Sequence, residues 1–580
     1  MVLGGTTLPL YSKNQNNIVK YSRWSTKPKI PKSILDQLGF PIIESTILFN
    51  RGLLSKTDSI NFITPLDDNL HDPYLLPDME KVINRISVAL KTNETIGVFG
   101  DFDTDGLSGT ALLTKSLQVL GGTVIPYVPH RTEEGHGVSL KAIDYFVSKN
   151  VTLMITVDCG VTSIAEIELA HKSGIDTIVT DHHIPLDRFP NAIGIVNAHL
   201  SNSQYPFRHL TGVGIAFKVM EALYNSHKKE LPEEVYVFCA LGTLSDVGVL
   251  EGENRYLVHK GMEIIRNVEI VGIDSLIRES GLSKKDLTTE DLSFGVIPRL
   301  NVSSRLEHAN TSLQLLLSST KSQAVQIAKY LDKLNKQRQI VTENALVEAK
   351  NQVVANNHKG ETNILFIGKP NWQPGILGLI AGQLCESYYR PAIAVSGQDN
   401  ILRASARSIS EFNMVEALSS CGSIFEQFGG HSMAAGFTIH RDNLKSFREI
   451  ISSIANETLE DIPKGPELVI DAEITPNWLN QETMNFLSSL EPYGNGNPMP
   501  TFLTKNVTIV SSKKVGRKGS HLKLSISHNE NIYDAIAFRQ GDRINETKNN
   551  LDIAYKAKYN SWNGNKSIQL TIEDFKVSDT

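Results

Sequence analysis

Aspartates stand at every second position in Gly100-Asp101-Phe102-Asp103-Thr104-Asp105-Gly106. They follow the apolar run Ile96-Gly97-Val98-Phe99, which has the composition of a buried strand, and they precede a helix-like stretch over 107–120. Carboxylates gathered at one strand end repel one another unless a cation sits among them, and hard divalent ions take such oxygen ligands. The first six positions from Asp101 also match a calcium loop. That loop needs a bidentate glutamate at its twelfth position, where this chain has Leu112. A lone D-x-D is as readily an acidic turn capping a helix, so the decision rests on whether later segments bring further ligands.

They do. Asp158 follows the apolar Met154-Ile155-Thr156-Val157, Asp181-His182-His183 follows Thr177-Ile178-Val179-Thr180, and Asp246 ends Ala240-Leu241-Gly242-Thr243-Leu244-Ser245. Strands over 124–128, 153–157 and 177–179 alternating with helices over 140–149 and 164–171 predict a parallel sheet covered by helices on both faces. Ligands of such sheets collect outside the carboxyl ends of the strands. Taken singly, Asp158 and Asp246 could each be a helix cap, and the histidine pair a surface loop. Together they form a mixed oxygen and nitrogen set suited to Mn²⁺ or Mg²⁺ and poor for structural zinc.

A chain of 580 residues exceeds what one core holds and divides into about three or four domains. Lys and Arg total 57 against 63 Asp and Glu, for a net charge of −6, so a polyanion would have to be met by local basic patches. Cys159, Cys239, Cys385 and Cys421 form no C-x-x-C pair, which fits a reducing compartment. With no signal-like N-terminus and no membrane-length apolar run, a soluble cytoplasmic protein with no membrane partner is expected.

The ordered set Gly100 to Gly106, Val157-Asp158-Cys159-Gly160, Thr180-Asp181-His182-His183-Ile184-Pro185 and Leu241 to Val247 resembles the motifs of the DHH phosphoesterase superfamily, most closely its RecJ family. Leu210 to Lys218, Pro298-Arg299-Leu300-Asn301, Phe428-Gly429-Gly430-His431, Ala434-Ala435-Gly436 and Leu490 to Pro498 extend the likeness over nearly the whole chain. The chain departs from the family pattern at Val302-Ser303-Ser304-Arg305, where a glycine normally precedes the arginine, and at Trp372-Gln373-Pro374-Gly375, where His-Pro-Gly is usual.

The resemblance implies an α/β protein: a parallel-sheet DHH domain, a long helix, a second α/β DHH-associated domain, and a small β-barrel of the OB-fold. It implies a metal-dependent 5′-to-3′ exonuclease that degrades single-stranded DNA to 5′-mononucleotides in DNA repair and recombination. Two ions, Mn²⁺ or Mg²⁺, would be held by Asp103, Asp105, Asp158, His182 and Asp246. Asp101 would support one of them, and His183 would contact the scissile phosphate or polarise the nucleophile. A helicase and a single-strand-binding protein are the implied partners, and a monomer is expected. Two other functions compete: a phosphodiesterase acting on short oligonucleotides or cyclic dinucleotides, and a non-catalytic single-strand-binding scaffold.

The expected boundaries are an irregular segment at 1–45, the DHH domain at 46–310, a connecting helix at 311–356, the DHH-associated domain at 357–463 and the barrel at 464–580. A break of the connecting helix near Ser318-Ser319 is an open alternative. Arg299, Arg305, Arg403, Ser405, Arg407 and His431 are the candidates for gripping the strand, because guanidinium and hydroxyl groups suit phosphate oxygens. In the barrel, Lys513, Lys514, Arg517 and Lys518, with Tyr555, Tyr559 and Trp562, offer the cations and stacking faces that single strands need.

Overall fold

The computed structural model describes residues 21–66, 70–357, 363–463, 465–562 and 565–578. Its first sheet is wholly parallel and carries the aspartate motif. The elements run β1 (Thr95–Gly100), α1 (Thr104–Val119), β2 (Thr123–Tyr127), α2 (Leu140–Ser148), β3 (Val151–Val157), α3 (Ile164–Lys172), β4 (Asp176–Thr180) and β5 (Gly194–Val196). The strand order is β2-β1-β3-β4-β5, so the direction of winding reverses between the neighbours β1 and β3. β1 and β3 are buried almost throughout, which explains their near-continuous apolar sequence. Their carboxyl ends deliver Asp101 and Asp158 side by side, at the point where an open α/β sheet forms its ligand crevice.

Helices complete this domain. Most residues of α4 (Gly212–Ser226) and α5 (Glu234–Ser245) are buried, and with α1 they share one core that extends to α6 (Ile297–Leu306). The connecting helix is shorter than the 311–356 expected. A separate helix, Asn310–Leu316, comes first, and α7 (Lys321–Asn357) begins only after Ser318-Ser319-Thr320, where the Ser318 hydroxyl bonds back to Gln314 O. A run of hydroxyl side chains competing for backbone groups breaks the helix there. α7 spans 37 residues, about 55 Å at 1.5 Å per residue. Its first half buries Ala324, Ala328, Leu331 and Leu334 in the DHH core, and its second half buries Ala345, Leu346, Ala349 and Val353 in the next.

That next domain is a sheet of β6 (Leu365–Gly368), β7 (Ala392–Ser396), β8 (Ile401–Arg407), β9 (Phe425–His431) and β10 (Ala434–His440) in the order β9-β10-β8-β7-β6. The C-terminal sheet comprises β11 (Ala472–Glu473), β12 (Phe502–Val515), β13 (His521–His528), β14 (Asn531–Ala537), β15 (Leu551–Trp562) and β16 (Asn565–Val577). A β12–β15 pairing closes it into a barrel.

The segment expected to be irregular holds regular structure. Arg23–Thr26 is a strand paired in parallel with Glu467–Ile470, and Lys32–Leu38 is a helix. Leu38, Ile43, Ile47 and Leu48 belong to the core of the barrel. Its strand has no local apolar signal because its partner lies at the other end of the sequence. Among the described residues, no helix is long and apolar enough to cross a membrane.

Candidate active site

The acidic residues converge. Asp103 caps α1, its Oδ1 accepting from the N–H groups of Asp105 at 2.9 Å and Gly106 at 3.2 Å. Asp105 points the other way, accepting from Gly212 N at 2.7 Å and Val213 N at 2.9 Å at the start of α4. Asp158 leaves β3 in the left-handed region, φ +61°, and its Oδ1 lies 3.0 Å from His182 Nε2. A Cβ on Gly212 would fall 2.4 Å from Asp158 Cβ, so only glycine lets α4 start this close. His182 Nε2 is also 3.9 Å from Asp246 Oδ2, at the end of α5. Asn301 joins the two ends: its Oδ1 accepts from Thr104 N at 2.9 Å and its Nδ2 donates to Ser245 Oγ at 3.3 Å.

Ligand atoms of Asp101, Asp103 and Asp158 lie within 4.8 Å of one another, as do those of Asp158, His182 and His183, and those of Asp105, His182 and Asp246. Asp158 belongs to two of these groups. Burial and mutual repulsion push Asp105 and Asp158 well above the usual carboxylate range, raise Asp103, and bring Asp246 up to about 7. Asp101 Oδ2 meets His136 Nδ1 at 3.2 Å, whereas its buried Oδ1 has no hydrogen-bond partner. An orphaned carboxylate oxygen among crowded anions fits a hard divalent cation and is costly without one. Burial, with repulsion from His183, holds His182 down to about 3, which leaves the neutral imidazole that ligates metal.

His183 is built differently. Burial alone would lower it, but the buried Asp181 carboxylate raises it to about 9. Asp181 Oδ1 accepts from His183 Nδ1 at 2.7 Å and from the backbone N–H groups of His182 and His183, and Oδ2 accepts from Val161 N at 2.9 Å. A face of this fixed ring meets the second lobe, where His431 of β9 stacks on it at 5.7 Å between centroids and 14° between planes. The two lobes meet again where Arg403 donates to Thr132 O.

A group of guanidinium ions faces the acids. Arg131 lies over the Phe102 ring at 4.7 Å, Arg305 donates to Gly375 O at 3.1 Å, and Arg407 donates to Ser405 Oγ and Ala406 O. Burial, with repulsion from Arg131, Arg338 and Arg407, pushes Arg305 down to about 9. Among the described residues none of these four guanidinium groups has a carboxylate in an ion pair, so the group lacks an anion. The family departures do not disturb it: Ser304 continues α6 and donates to Asn301 O, and Gly375 still reaches Arg305. Arg131, Arg338 and His136 were not among the sequence candidates, and Asp181, expected in the acidic set at the strand ends, instead holds His183 and stands outside the three ligand groups.

Other candidates fall elsewhere. Arg299 is committed to the buried Asp332 of α7, at 2.9 Å, and to Gly295 O, so it ties α6 to α7. A cleft of about 2030 Å³ leads from Asn301, Arg305 and Arg338 to the barrel, whose wall there includes Phe538, Arg539 and Lys556. Lys513, Lys514 and Lys518 are exposed at the β12–β13 hairpin and do not line it. On β15 the side chains alternate: Tyr555 is fully buried in the barrel core, with its hydroxyl on Thr504, whereas Lys556 and Lys558 face outward. The side chains of Arg517 and Trp562 lie outside the described residues.

A parallel sheet whose strand ends gather carboxylates and imidazoles, ringed by arginines without ion pairs and faced by a second lobe that adds Arg407 and His431, defines a phosphoesterase of the DHH class. Sequence models agree: the DHH family N-terminal domain matches residues 95–243, the DHHA1 domain 361–457 and the RecJ OB domain 470–574. The single-stranded-DNA-specific exonuclease RecJ of Bacillus subtilis (strain 168) is 32% identical over 553 residues, 94% of this chain and 70% of the relative. The crystal structure of RecJ in complex with Mn²⁺ from Thermus thermophilus superposes with a TM-score of 0.82 at 27% identity, covering 96% of this chain and 80% of that one. The same protein in complex with Mg²⁺ gives 0.76 at 25% identity, covering 96% and 79%. The chain belongs to the RecJ family.

Proposed function

We propose that this protein is a metal-dependent exonuclease that hydrolyses single-stranded DNA from its 5′ end and releases 5′-mononucleotides. The observation that carries this is the orphaned Asp101 Oδ1 within a cluster of mutually repelling carboxylates, opposite buried arginines that lack an anion. Asp103, Asp105, Asp158, His182 and Asp246 would hold two divalent ions, with Asp158 shared and Asp101 in support. Mn²⁺ or Mg²⁺, the ions present in the Thermus structures, would when bound supply an activated water and stabilise the leaving oxygen of an in-line displacement.

The protein groups do the rest. His183, fixed by Asp181, donates a hydrogen bond to the scissile phosphate, and His431 covers it. Arg131, Arg305 and Arg407, with Ser405, receive a terminal phosphate, which orients the strand 5′ end first. The chain then leaves through the cleft toward Arg539 and Lys556, whose charges track its backbone.

Incubation with Mn²⁺ and oligonucleotides labelled at either end is expected to release labelled mononucleotide first from the 5′-labelled strand. Degradation only from the 3′ end would overturn the polarity. Faster turnover of dinucleotides than of long strands would favour the small-substrate alternative, which has no use for the barrel wall of the cleft.

Arg407→Ala is expected to weaken binding of a 5′-phosphorylated oligonucleotide about tenfold or more, the worth of one or two charge-assisted hydrogen bonds. It should affect a 5′-hydroxyl oligonucleotide much less. Equal losses on both, in a fluorescence titration at fixed salt, would remove Arg407 from the terminal-phosphate pocket.

A further inference from the structure

Residues 490–498, Leu-Glu-Pro-Tyr-Gly-Asn-Gly-Asn-Pro, have no part in the chemistry proposed so far, yet this loop between the Gln481–Ser489 helix and β12 stands against the turn that carries Asp246. Asp246 differs from Asp103, Asp105 and Asp158 in having no close partner on its carboxylate among the described residues: Asp158 lies 3.0 Å from His182 Nε2. Asp103 and Asp105 are aimed by backbone N–H groups. Among the described residues no hydrogen-bond donor aims the Asp246 carboxylate, whose side chain is 37% exposed. Its direction is therefore set by the backbone that follows α5.

That backbone is strained. α5 ends with Gly248 N bonded back to Thr243 O at 2.9 Å, which places Val247 in the left-handed position that helix ends normally give to glycine. Val247 has φ +56°, an outlier for a β-branched residue, and its side chain is 65% exposed, so packing does not hold it there. Asn495 holds it. Its Nδ2 donates to Val247 O at 2.9 Å, and its own carbonyl accepts from Leu250 N at 2.7 Å, which grips the turn at both ends.

The loop is rigid enough to act as a clamp. Gly494 and Asn497 exchange backbone hydrogen bonds, and Asn497 Nδ2 donates to Leu490 O and Pro492 O, each at 2.8 Å. Buried Arg255 donates to Glu491 O and Pro492 O, and Arg51 donates to Asn497 Oδ1 and Pro498 O. Gly496, at φ +79°, brings the loop so close that a Cβ would meet Val249 Cγ1 at 2.7 Å. We infer that Asn495 is a positioning residue which, by holding the 247–250 turn, aims Asp246 into the metal site, so that the loop entering the barrel domain sets how tightly one ion is held. This rests on Asp246 being a metal ligand.

The test titrates the full-length protein with Mn²⁺ alone, following free Mn²⁺ by its paramagnetic resonance signal, and measures kcat and KM on a single-stranded oligonucleotide. Asn495→Ala is expected to weaken one Mn²⁺ equivalent about tenfold or more, as loss of a partner that orients a ligand does. It should lower kcat at limiting Mn²⁺ and leave KM for DNA unchanged. Asn495→Asp, which keeps the shape and removes the amide donor, should do the same. Adding Val247→Asn to Asn495→Ala should restore most of the loss, because asparagine adopts the left-handed conformation readily. A purely structural loop would show no such rescue. Wild-type Mn²⁺ binding in both Asn495 variants, or no rescue by Val247→Asn, overturns the clamp while Asp246→Ala still loses an equivalent. An Asp246→Ala variant that keeps both equivalents overturns the ligand assignment and the clamp with it.

Discussion

Asp158→Asn is expected to stop turnover while raising the melting temperature of the metal-free protein. Asp158 is almost fully buried, and beyond burial its carboxylate is opposed first by Asp105, then by Asp103, Asp101 and Asp246. Removing a ligand shared between two ions costs several kcal/mol of transition-state stabilisation, which at about 1.4 kcal/mol per tenfold is on the order of 10³-fold in rate. The same substitution removes a repelled buried charge, which is worth on the order of 2 kcal/mol to the metal-free fold, or about 2–4 °C in a chain of this size. Asparagine also tolerates the φ of +61° at this position. The response to Mn²⁺ should diverge as well. An ion present at about a hundred times its Kd stabilises the wild type by about 2.7 kcal/mol, and most of this should vanish in the variant. Single-turnover assays and thermal melts with and without Mn²⁺ measure both effects. A variant that melts below wild type without metal, or that keeps within tenfold of its rate, would refute a shared-ligand role.

Much of the acidic cluster and its surroundings was legible because the residues stand at the ends of locally readable elements. Asp101, Asp158 and Asp181 follow apolar strands and Asp246 ends an apolar helix, so parallel strand order alone carries the first three to one edge of the sheet. Residues whose role depends on a partner far along the chain were not legible. Arg299 and Arg305 lie on the same short helix with the same side chain, yet one meets Asp332 of α7 and the other meets Gly375 of the second lobe. Arg131 and His136 sit in the irregular stretch between β2 and α2, where no periodicity marks them, and they matter because Phe102 packs against both. In the barrel, counting lysines located a hairpin, whereas the two-residue alternation of β15 decides which cations reach the cleft.

Asp181→Asn should lower kcat about a hundredfold, the upper range for groups that orient an active-site imidazole, while leaving Mn²⁺ stoichiometry and KM for DNA near wild type. The carboxylate touches neither the proposed ions nor the strand. It fixes His183, accepting from the ring at Nδ1 and from two successive backbone N–H groups, with Val161 N holding its other oxygen. An amide of the same shape keeps one acceptor oxygen but turns a donor toward one of these donors, so the ring loses the partner that fixes its orientation and favours its protonated form. His183 then no longer presents a constant N–H donor to the phosphate beneath His431. Because His182 takes its place in the metal set through the opposite face of the motif, at 3.0 Å from Asp158, ion binding should survive. That split separates an orienting role from a general loss of fold. If kcat falls less than threefold, His183 is not held for catalysis by Asp181; if Mn²⁺ binding collapses along with it, Asp181 supports the ligand cage instead of the phosphate contact.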